Sequence, residues 1–246
     1  MTDKLGPTEM ISFGAGVNSA AMTIMLVEQG WHGPIVMADP GAEHPETYCW
    51  MTYFEKEYLK PRGLEIIRIL PGSPYHKRSD LPLYEFCLEC GIVPYLASRW
   101  CSVEWKVTPL SNWAAEHGIT TRFIGYASDE MHRAKDYEGR VYPLIDAGIT
   151  RKGCLSIIAQ AGLEAPVKSG CFFCPGMRLS GWKKLYFDYP DLYERAVALE
   201  KNATARHGKL ITLDPHGISL RQHAERRWQG QMQMDLSQWL PCACRL

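Results

Sequence analysis

The stretch ISFGAGVNS, residues 11–19, decides the fold of this chain. An apolar run that begins at Met10 leads into it, and the residues after it are apolar at helical spacing, so the order is strand, turn, helix. Gly14 and Gly16 permit close approach of the backbone, and the free N–H groups at the start of a helix favour an anion. The turn lacks the lysine of a Walker loop and the third glycine of a dinucleotide fingerprint. We therefore predict a phosphate-binding turn of a different type.

Strand and helix patterns alternate on both sides of this turn. The apolar pattern predicts strands at residues 10–13, 34–38, 65–70, 122–126 and 141–145. It predicts helices at residues 19–29, 45–60, 104–117, 151–161 and 181–207, and it leaves residues 71–100 irregular. The alternation indicates an α/β fold, a doubly wound parallel sheet of about five strands, whose ligand crevice lies beyond the carboxyl ends of the strands. We expect two parts, a phosphate-binding α/β domain over residues 1–149 and a mostly helical region over residues 150–246.

Composition narrows the classes of protein to consider. The 246 residues include 27 Lys and Arg against 27 Asp and Glu, so a nucleic-acid partner would need a local basic patch. Residues 1–10 lack the pattern of a secretory signal, and no apolar run is long enough to span a membrane, so we expect a cytoplasmic protein without a membrane partner. Nine cysteines in that compartment favour metal or sulfur chemistry over disulfides.

Several segments, taken in order, resemble the PP-loop ATP pyrophosphatase superfamily, in particular its phosphoadenosine phosphosulfate reductase-like and DNA-phosphorothioation ATPase-like branch. SFGAGVNS (residues 12–19) is similar to the SxGxxS pyrophosphate loop of that superfamily. Four more segments match in the same order: ADPGAEHPETY (residues 38–48), RWCSVEWKVTPL (residues 99–110), GYASDEMHRAK (residues 125–135), and YPLIDAGITRKGC (residues 142–154) followed by SGCFFCPG (residues 169–176). The resemblance implies an adenine nucleotide alpha hydrolase-like fold that binds ATP together with Mg²⁺.

The resemblance also implies roles for individual residues. The loop would surround the pyrophosphate of ATP with Ser12, Phe13, Gly14, Ala15, Gly16, Val17, Asn18 and Ser19. Asp39, Gly125 and Asp129 would complete the site for the nucleotide or its magnesium. The catalytic residues would be Asn18, Ser19, Lys106 and Arg133, with the two cations offsetting charge on the leaving pyrophosphate. Two positions depart from the usual pattern, since Ala15 stands where glycine is usual and Asn18 where aspartate is usual.

The cysteine spacing predicts a metal site and leaves its ligands open. Two CxxC pairs, Cys87 with Cys90 and Cys171 with Cys174, have the spacing for an all-thiolate zinc site. The resemblance instead implies that Cys101 joins Cys171 and Cys174 around a 4Fe-4S cluster, with Zn²⁺ as the alternative. The candidates for the fourth ligand are Cys244, Cys242 and Cys90.

We expect an enzyme that splits ATP into AMP and pyrophosphate, adenylates a nucleic acid and supports sulfur transfer to it. DNA phosphorothioation and tRNA thiolation are both open, and a cysteine desulfurase would supply the sulfur. Two stretches mix basic and aromatic residues and offer phosphate contacts and stacking, RLSGWKK (residues 178–184) and RQHAERRW (residues 221–228). A sulfonucleotide reductase is one alternative, because the chain ends in the cysteine-bearing PCACRL. A nucleotide-binding regulatory protein without turnover is the other.

Overall fold

A computed structural model describes residues 8–135 and 137–229. The predicted ligands Cys242 and Cys244 lie outside these described residues. Within the same two ranges, no helix combines the length and the apolar character that crossing a bilayer requires.

The centre of the molecule is a parallel sheet of five strands in the order β3-β2-β1-β4-β5. The strands are β1 (Glu9–Ser12), β2 (Ile35–Ala38), β3 (Ile66–Ile69), β4 (Thr121–Ile124) and β5 (Arg140–Val141). All four residues of β2 are buried, as expected for a strand covered on both faces. The order reverses between β1 and β4, so the carboxyl ends of these two strands flank the switch point where such sheets bind ligands. The predicted α/β fold with a doubly wound parallel sheet is confirmed.

Helices cover both faces of the sheet and form the C-terminal part. They are α1 (Val17–Glu28), α2 (Pro45–Phe54), α3 (Leu83–Cys90), α4 (Trp100–Ser102), α5 (Thr108–Glu116), α6 (Pro143–Asp146), α7 (Arg151–Gln160), α8 (Leu179–Asp188), α9 (Pro190–His207) and α10 (Leu220–His223). Single π-helical turns extend α2 through residues 55–59, join α4 to α5 through residues 103–107 and extend α10 through residues 224–228.

Three buried clusters hold these elements together. One face of the sheet packs on α1, α2 and α7 through residues such as Phe13, Phe54 and Ile158. The opposite face packs on α5 through Trp113 and Ala114. A second core joins α3 to α8, α9 and α10 and includes Trp105 and Phe173. Since Phe173 lies between Cys171 and Cys174, this second core anchors the CxxC segment.

Three local predictions were wrong, and proline explains two of them. The predicted strand at residues 141–145 ends at Val141, because Pro143 begins α6. The predicted helix at residues 181–207 is broken between α8 and α9, since Pro190 starts α9 and cannot continue α8. Residues 71–100, predicted to be irregular, contain α3, which places Cys87 and Cys90 on a helix.

A buried carboxyl group makes the C-terminal helices sensitive to pH. Glu200 on α9 accepts hydrogen bonds of 2.8 Å from the backbone N–H groups of Leu213 and Leu220. Burial raises the pKa of Glu200 from 4.5 to about 7, although the two hydrogen bonds oppose the shift. Between about pH 4.5 and 7, the folded state therefore holds a proton that the unfolded chain has released. The stability that this proton contributes is fully present below about pH 4.5 and is lost as the pH rises through about 7.

We expect the free energy of unfolding to fall by about 2.5 kcal/mol between pH 5 and pH 8 from this group alone. Urea unfolding at four pH values across that range measures the slope, and Glu200→Gln should flatten it because glutamine does not titrate. A slope that stays the same in Glu200→Gln would assign the pH dependence to other groups.

Candidate active site

The turn between β1 and α1 has the geometry of an anion site. Gly16 is the N-cap of α1, and its N–H donates to Ser19 Oγ at 3.2 Å while the Ser19 hydroxyl donates to the Gly16 carbonyl at 3.0 Å. These bonds fix the first turn of the helix, whose remaining free N–H groups point along the helix axis toward the crevice. The loop predicted from residues 12–19 is therefore a strand-to-helix turn at the switch point of the sheet.

Ala15 occupies a left-handed backbone conformation, with φ of 53°, and its side chain is buried. Such a conformation costs an L-residue about 1 kcal/mol relative to glycine, which accounts for the usual glycine at this position in similar loops. In this chain, the turn keeps the conformation that glycine would adopt, and the buried methyl group offsets part of the cost.

Asn18 belongs to a network that reaches two other segments. Its Nδ2 donates to Glu130 Oε2 at 2.7 Å, and Arg133 Nη1 donates to Glu130 Oε1 at 2.6 Å. On the other side, Arg151 Nη1 lies 3.5 Å from Asn18 Oδ1. The Arg133 guanidinium also stacks over the ring of Tyr126, 4.5 Å from its centroid. Arg133, predicted to act on the nucleotide's phosphates, is thus held near the loop through Glu130.

The end of β4 lies directly against the start of α1. A Cβ atom added at Gly125 would lie 2.8 Å from Ser19 Cα and 2.9 Å from Ser19 N. Glycine is required here because two backbones meet without room for a side chain. The nucleotide contact predicted for Gly125 stays a prediction, and the structure gives the residue a packing role beside the loop.

Asp39 and Asp129 each hold a neighbouring loop. Asp39 Oδ1 accepts a hydrogen bond from Gly41 N–H and another from the Tyr48 hydroxyl, both at 2.8 Å. Burial and the Asp39 carboxylate raise the pKa of Tyr48, so its hydroxyl stays protonated and remains a donor. Asp129 Oδ1 accepts from Arg151 N–H at 3.1 Å, at the start of α7. Their predicted contacts with nucleotide or magnesium remain predictions.

Lys106 lies beside the cysteines, and its predicted role on the nucleotide's phosphates stays a prediction. Its Nζ is 2.5 Å from Glu43 Oε1, and the Glu43 side chain is fully buried. Burial lowers the pKa of Lys106, but the Glu43 carboxylate and the neighbouring Cys171 outweigh it and leave the pKa above its ordinary value. Glu43 is fixed in turn, because its backbone pairs with Cys171 in an isolated antiparallel bridge. Lys106 therefore remains a cation at neutral pH, beside the CxxC segment.

The thiols of Cys101, Cys171 and Cys174 lie close enough to influence one another. Burial and the neighbouring Cys174 raise the pKa of Cys101. Burial and the Glu43 carboxylate raise the pKa of Cys171, while Lys106 opposes them. Cys87 on α3 extends the group, since burial and the adjacent Cys101 and Cys90 raise its pKa. Cys101 thus lies between the two predicted sets, with Cys171 and Cys174 near it on one side and Cys87 near it on the other.

The donor chemistry of this group fits a metal held by thiolates. Three mutually close thiols are ligands for iron–sulfur clusters and for zinc, and Lys106 would offset part of the negative charge of three thiolates. Among residues 8–135 and 137–229, however, no three or more His, Cys, Asp or Glu side chains are already arranged around a metal position. The predicted three-cysteine site, with or without the fourth ligand, therefore remains a proposal.

A cavity of about 590 Å³ lies beside the cysteines, and two of its lining residues adjoin the turn. Cys171 and Cys174 line it, and so does Arg151, which reaches Asn18 of the turn. Ser169 also lines it, and a Cβ at Gly16 would lie 3.2 Å from Ser169 Oγ. Four basic side chains and one acidic side chain face this space: Arg151, Lys168, Arg178, Lys184 and Glu46.

Sequence reasoning missed several residues of this arrangement. Glu43 and Glu130 lie inside segments that carry the family resemblance, yet neither was assigned a role. Arg151, at the start of α7, lies inside the similar segment at residues 142–154, and Lys168 immediately precedes SGCFFCPG. Position within or beside these segments is the signal that could have found them. Their partners depend on the packing of segments that are distant in sequence.

Comparison with known proteins gives distant likenesses. No family model matches the chain. An uncharacterized protein of Methanocaldococcus jannaschii is 24% identical over 227 residues, which cover 83% of this chain and 44% of that protein. The chain thus spans less than half the length of this relative.

Two solved structures are similar at low identity. PAPS reductase from Candida auris, in a phosphate complex, is 13% identical with a TM-score of 0.47, over 65% of this chain and 75% of that one. The U34-tRNA thiolase NcsA from Methanococcus maripaludis, with its 4Fe-4S cluster, is 16% identical with a TM-score of 0.47, over 82% of this chain and 74% of that one. In the order of its sequence motifs and in its five-stranded parallel sheet, this chain resembles the PP-loop ATP pyrophosphatase superfamily.

Proposed function

We propose that this protein is an ATP pyrophosphatase that adenylates an oxygen of a nucleic acid and thereby prepares it for sulfur transfer. One observation carries the proposal: the cavity beside the turn is lined by Arg151, which contacts Asn18, and by Cys171 and Cys174. A nucleotide bound at the turn and a sulfur atom at the cysteines would therefore face the same space.

In the first step, the acceptor oxygen attacks the α-phosphorus of ATP. The bond from that phosphorus to the bridging oxygen breaks, and pyrophosphate leaves while AMP remains on the acceptor. The N–H groups of the turn and the Arg151 guanidinium would bind the leaving pyrophosphate, where negative charge accumulates. Mg²⁺ would accompany ATP and neutralise further phosphate charge.

In the second step, a persulfide sulfur displaces AMP from the acceptor. We expect the persulfide to come from a cysteine desulfurase. Attack by its terminal sulfur forms a bond to the acceptor, and AMP leaves with the bonding electron pair. A second thiolate then attacks the inner sulfur, which releases the thiolated acceptor and leaves a disulfide that an external thiol must reduce.

Cys101, Cys171 and Cys174 would hold an iron–sulfur cluster if one is bound. With a fourth ligand from among Cys90, Cys242 and Cys244, they would supply the thiolates of such a cluster, and its iron would supply a site for sulfur binding. Lys106, fixed by Glu43, would keep a positive charge at the cysteines whether or not a cluster is present.

The test is nucleotide analysis after incubation with ATP and Mg²⁺, with and without DNA or tRNA. We expect AMP and pyrophosphate, formed faster with the acceptor present. Arg151→Ala should slow pyrophosphate release at least tenfold, about 1.4 kcal/mol of transition-state stabilisation. Lys152→Ala is the matched control, because Lys152 is an exposed neighbour on the same helix that does not line the cavity.

Three results would contradict the proposal. ADP and phosphate as products would mean that ATP is cleaved at a different bond. Sulfite release from adenylyl sulfate without ATP would identify a sulfonucleotide reductase. Tight ATP binding with no product under any condition would identify a regulatory nucleotide-binding protein.

A further inference from the structure

The cavity beside the cysteines is strongly basic in a chain whose charges balance. It is lined by four cationic side chains and by Glu46 as its one carboxylate. Glu46 is already paired with Lys184. Among the described residues, no carboxylate lies within ion-pair distance of Arg151, Lys168 or Arg178. Three unneutralised cations around one cavity predict an anionic ligand with more than one negative group.

A second, more open cavity of about 440 Å³ shares a lining residue with the first. It is lined by Leu179, Ser180, Lys183, Arg227 and Trp228. Ser180 lines both cavities, so they meet at the first turn of α8. The two basic stretches predicted from sequence, residues 178–184 and 221–228, are therefore brought together along one path.

The aromatic side chains of these stretches do not offer stacking surfaces. Trp182 is 2% exposed and Trp228 is 3% exposed, and both pack into the second core. The stacking role considered from the sequence is thus wrong for these two tryptophans. Most polar side chains that line the path are cationic, with serine hydroxyls beside them, and such groups recognise phosphates rather than bases.

We propose that the two connected cavities form a binding track for the phosphodiester backbone of a nucleic-acid strand. One nucleotide of the strand would lie in the first cavity, beside Cys171 and Cys174, and the next phosphates would follow past Ser180 to Lys183 and Arg227. This deepens the proposed function, on which it rests, because it gives the nucleic-acid acceptor a defined binding surface. A small sulfonucleotide would fill the first cavity and leave the second without a role.

The experiment measures binding of fluorescent single-stranded DNA and RNA oligonucleotides by anisotropy at several salt concentrations. Lys183→Glu, in the second cavity, should weaken oligonucleotide binding about tenfold near 0.1 M salt and reduce the salt dependence by roughly one phosphate contact. Binding of ATP should be unchanged, because Lys183 lies away from the turn. Lys201→Glu is the matched control, since Lys201 is exposed on α9 and lines neither cavity.

Comparable loss of affinity in Lys183→Glu and Lys201→Glu would overturn the track, and so would unchanged affinity in Lys183→Glu. The track would also be overturned if Lys183→Glu weakened the binding of adenylyl sulfate as much as the binding of oligonucleotides. The DNA and RNA arms identify which polymer is preferred. The binding assay needs no turnover, so it tests the track separately from the proposed function. If the protein binds the strand through Lys183 but has no pyrophosphatase activity, the proposed function is rejected and the track stands.

Discussion

Replacing Gly125 by alanine should lower the free energy of unfolding by about 3 kcal/mol and abolish tight nucleotide binding. The new methyl group would lie 2.8 to 2.9 Å from backbone atoms of Ser19, closer than nonbonded carbon atoms approach. Backbone cannot rotate away as a flexible side chain can. Either β4 or the first turn of α1 must shift, and the second shift would disorganise the N–H groups of the anion site.

Gly14→Ala provides the comparison for stability. A Cβ at Gly14 would have Ser19 Oγ as its nearest atom, at 3.8 Å, which is an ordinary contact. We expect the free energy of unfolding to change by less than about 1 kcal/mol in this variant. Urea unfolding of both variants beside the parent, with calorimetric titration of ATP into Gly125→Ala, measures the difference. Equal stability of the two alanine variants would mean that β4 and α1 are not packed as closely as described.

Replacing Asn18 by aspartate should lower the free energy of unfolding, although aspartate is the usual residue in similar loops. The amide of Asn18 donates to Glu130 Oε2 at 2.7 Å, so an aspartate would place two carboxylates in contact. Loss of the hydrogen bond and the new repulsion together should cost about 1 kcal/mol, because Arg151, 3.5 Å from Asn18 Oδ1, offsets part of the repulsion. We expect a lower unfolding free energy that recovers partially at high salt, because salt screens the repulsion.

The double variant Asn18→Asp with Glu130→Gln should recover most of the loss. The amide and the carboxylate then exchange positions, and a hydrogen bond of the same kind can form in the opposite direction. Glu130→Gln alone should cost less than about 1 kcal/mol, since the ion pair that it breaks with Arg133 is substantially exposed to solvent. A double-mutant cycle on unfolding free energies measures the coupling, and purely additive effects would rule out a direct interaction of residues 18 and 130.

The sequence determined the parts of this protein whose causes are local. Met10 through Ser19 predicted strand, turn and helix because apolar spacing and glycine act over a few residues, and β1 and α1 follow that prediction. Two of the boundary errors had local causes as well, since Pro143 and Pro190 begin helices where a strand and a continuous helix were predicted. Helix α3 was missed although Pro82 precedes it and Gly91, with φ of 59°, ends it.

Only the tertiary structure decided which charges meet. The sequence analysis assigned Lys106 to the phosphates, and folding pairs it with the buried carboxylate of Glu43 beside the cysteines, because a buried charge requires a partner of opposite sign. In the same way, the sequence showed only that Asn18 stands where similar loops have aspartate. The fold places Glu130, 112 residues away in the sequence, within hydrogen-bond distance of it. Local spacing fixes backbone conformation, whereas pairing across the chain depends on which surfaces pack together.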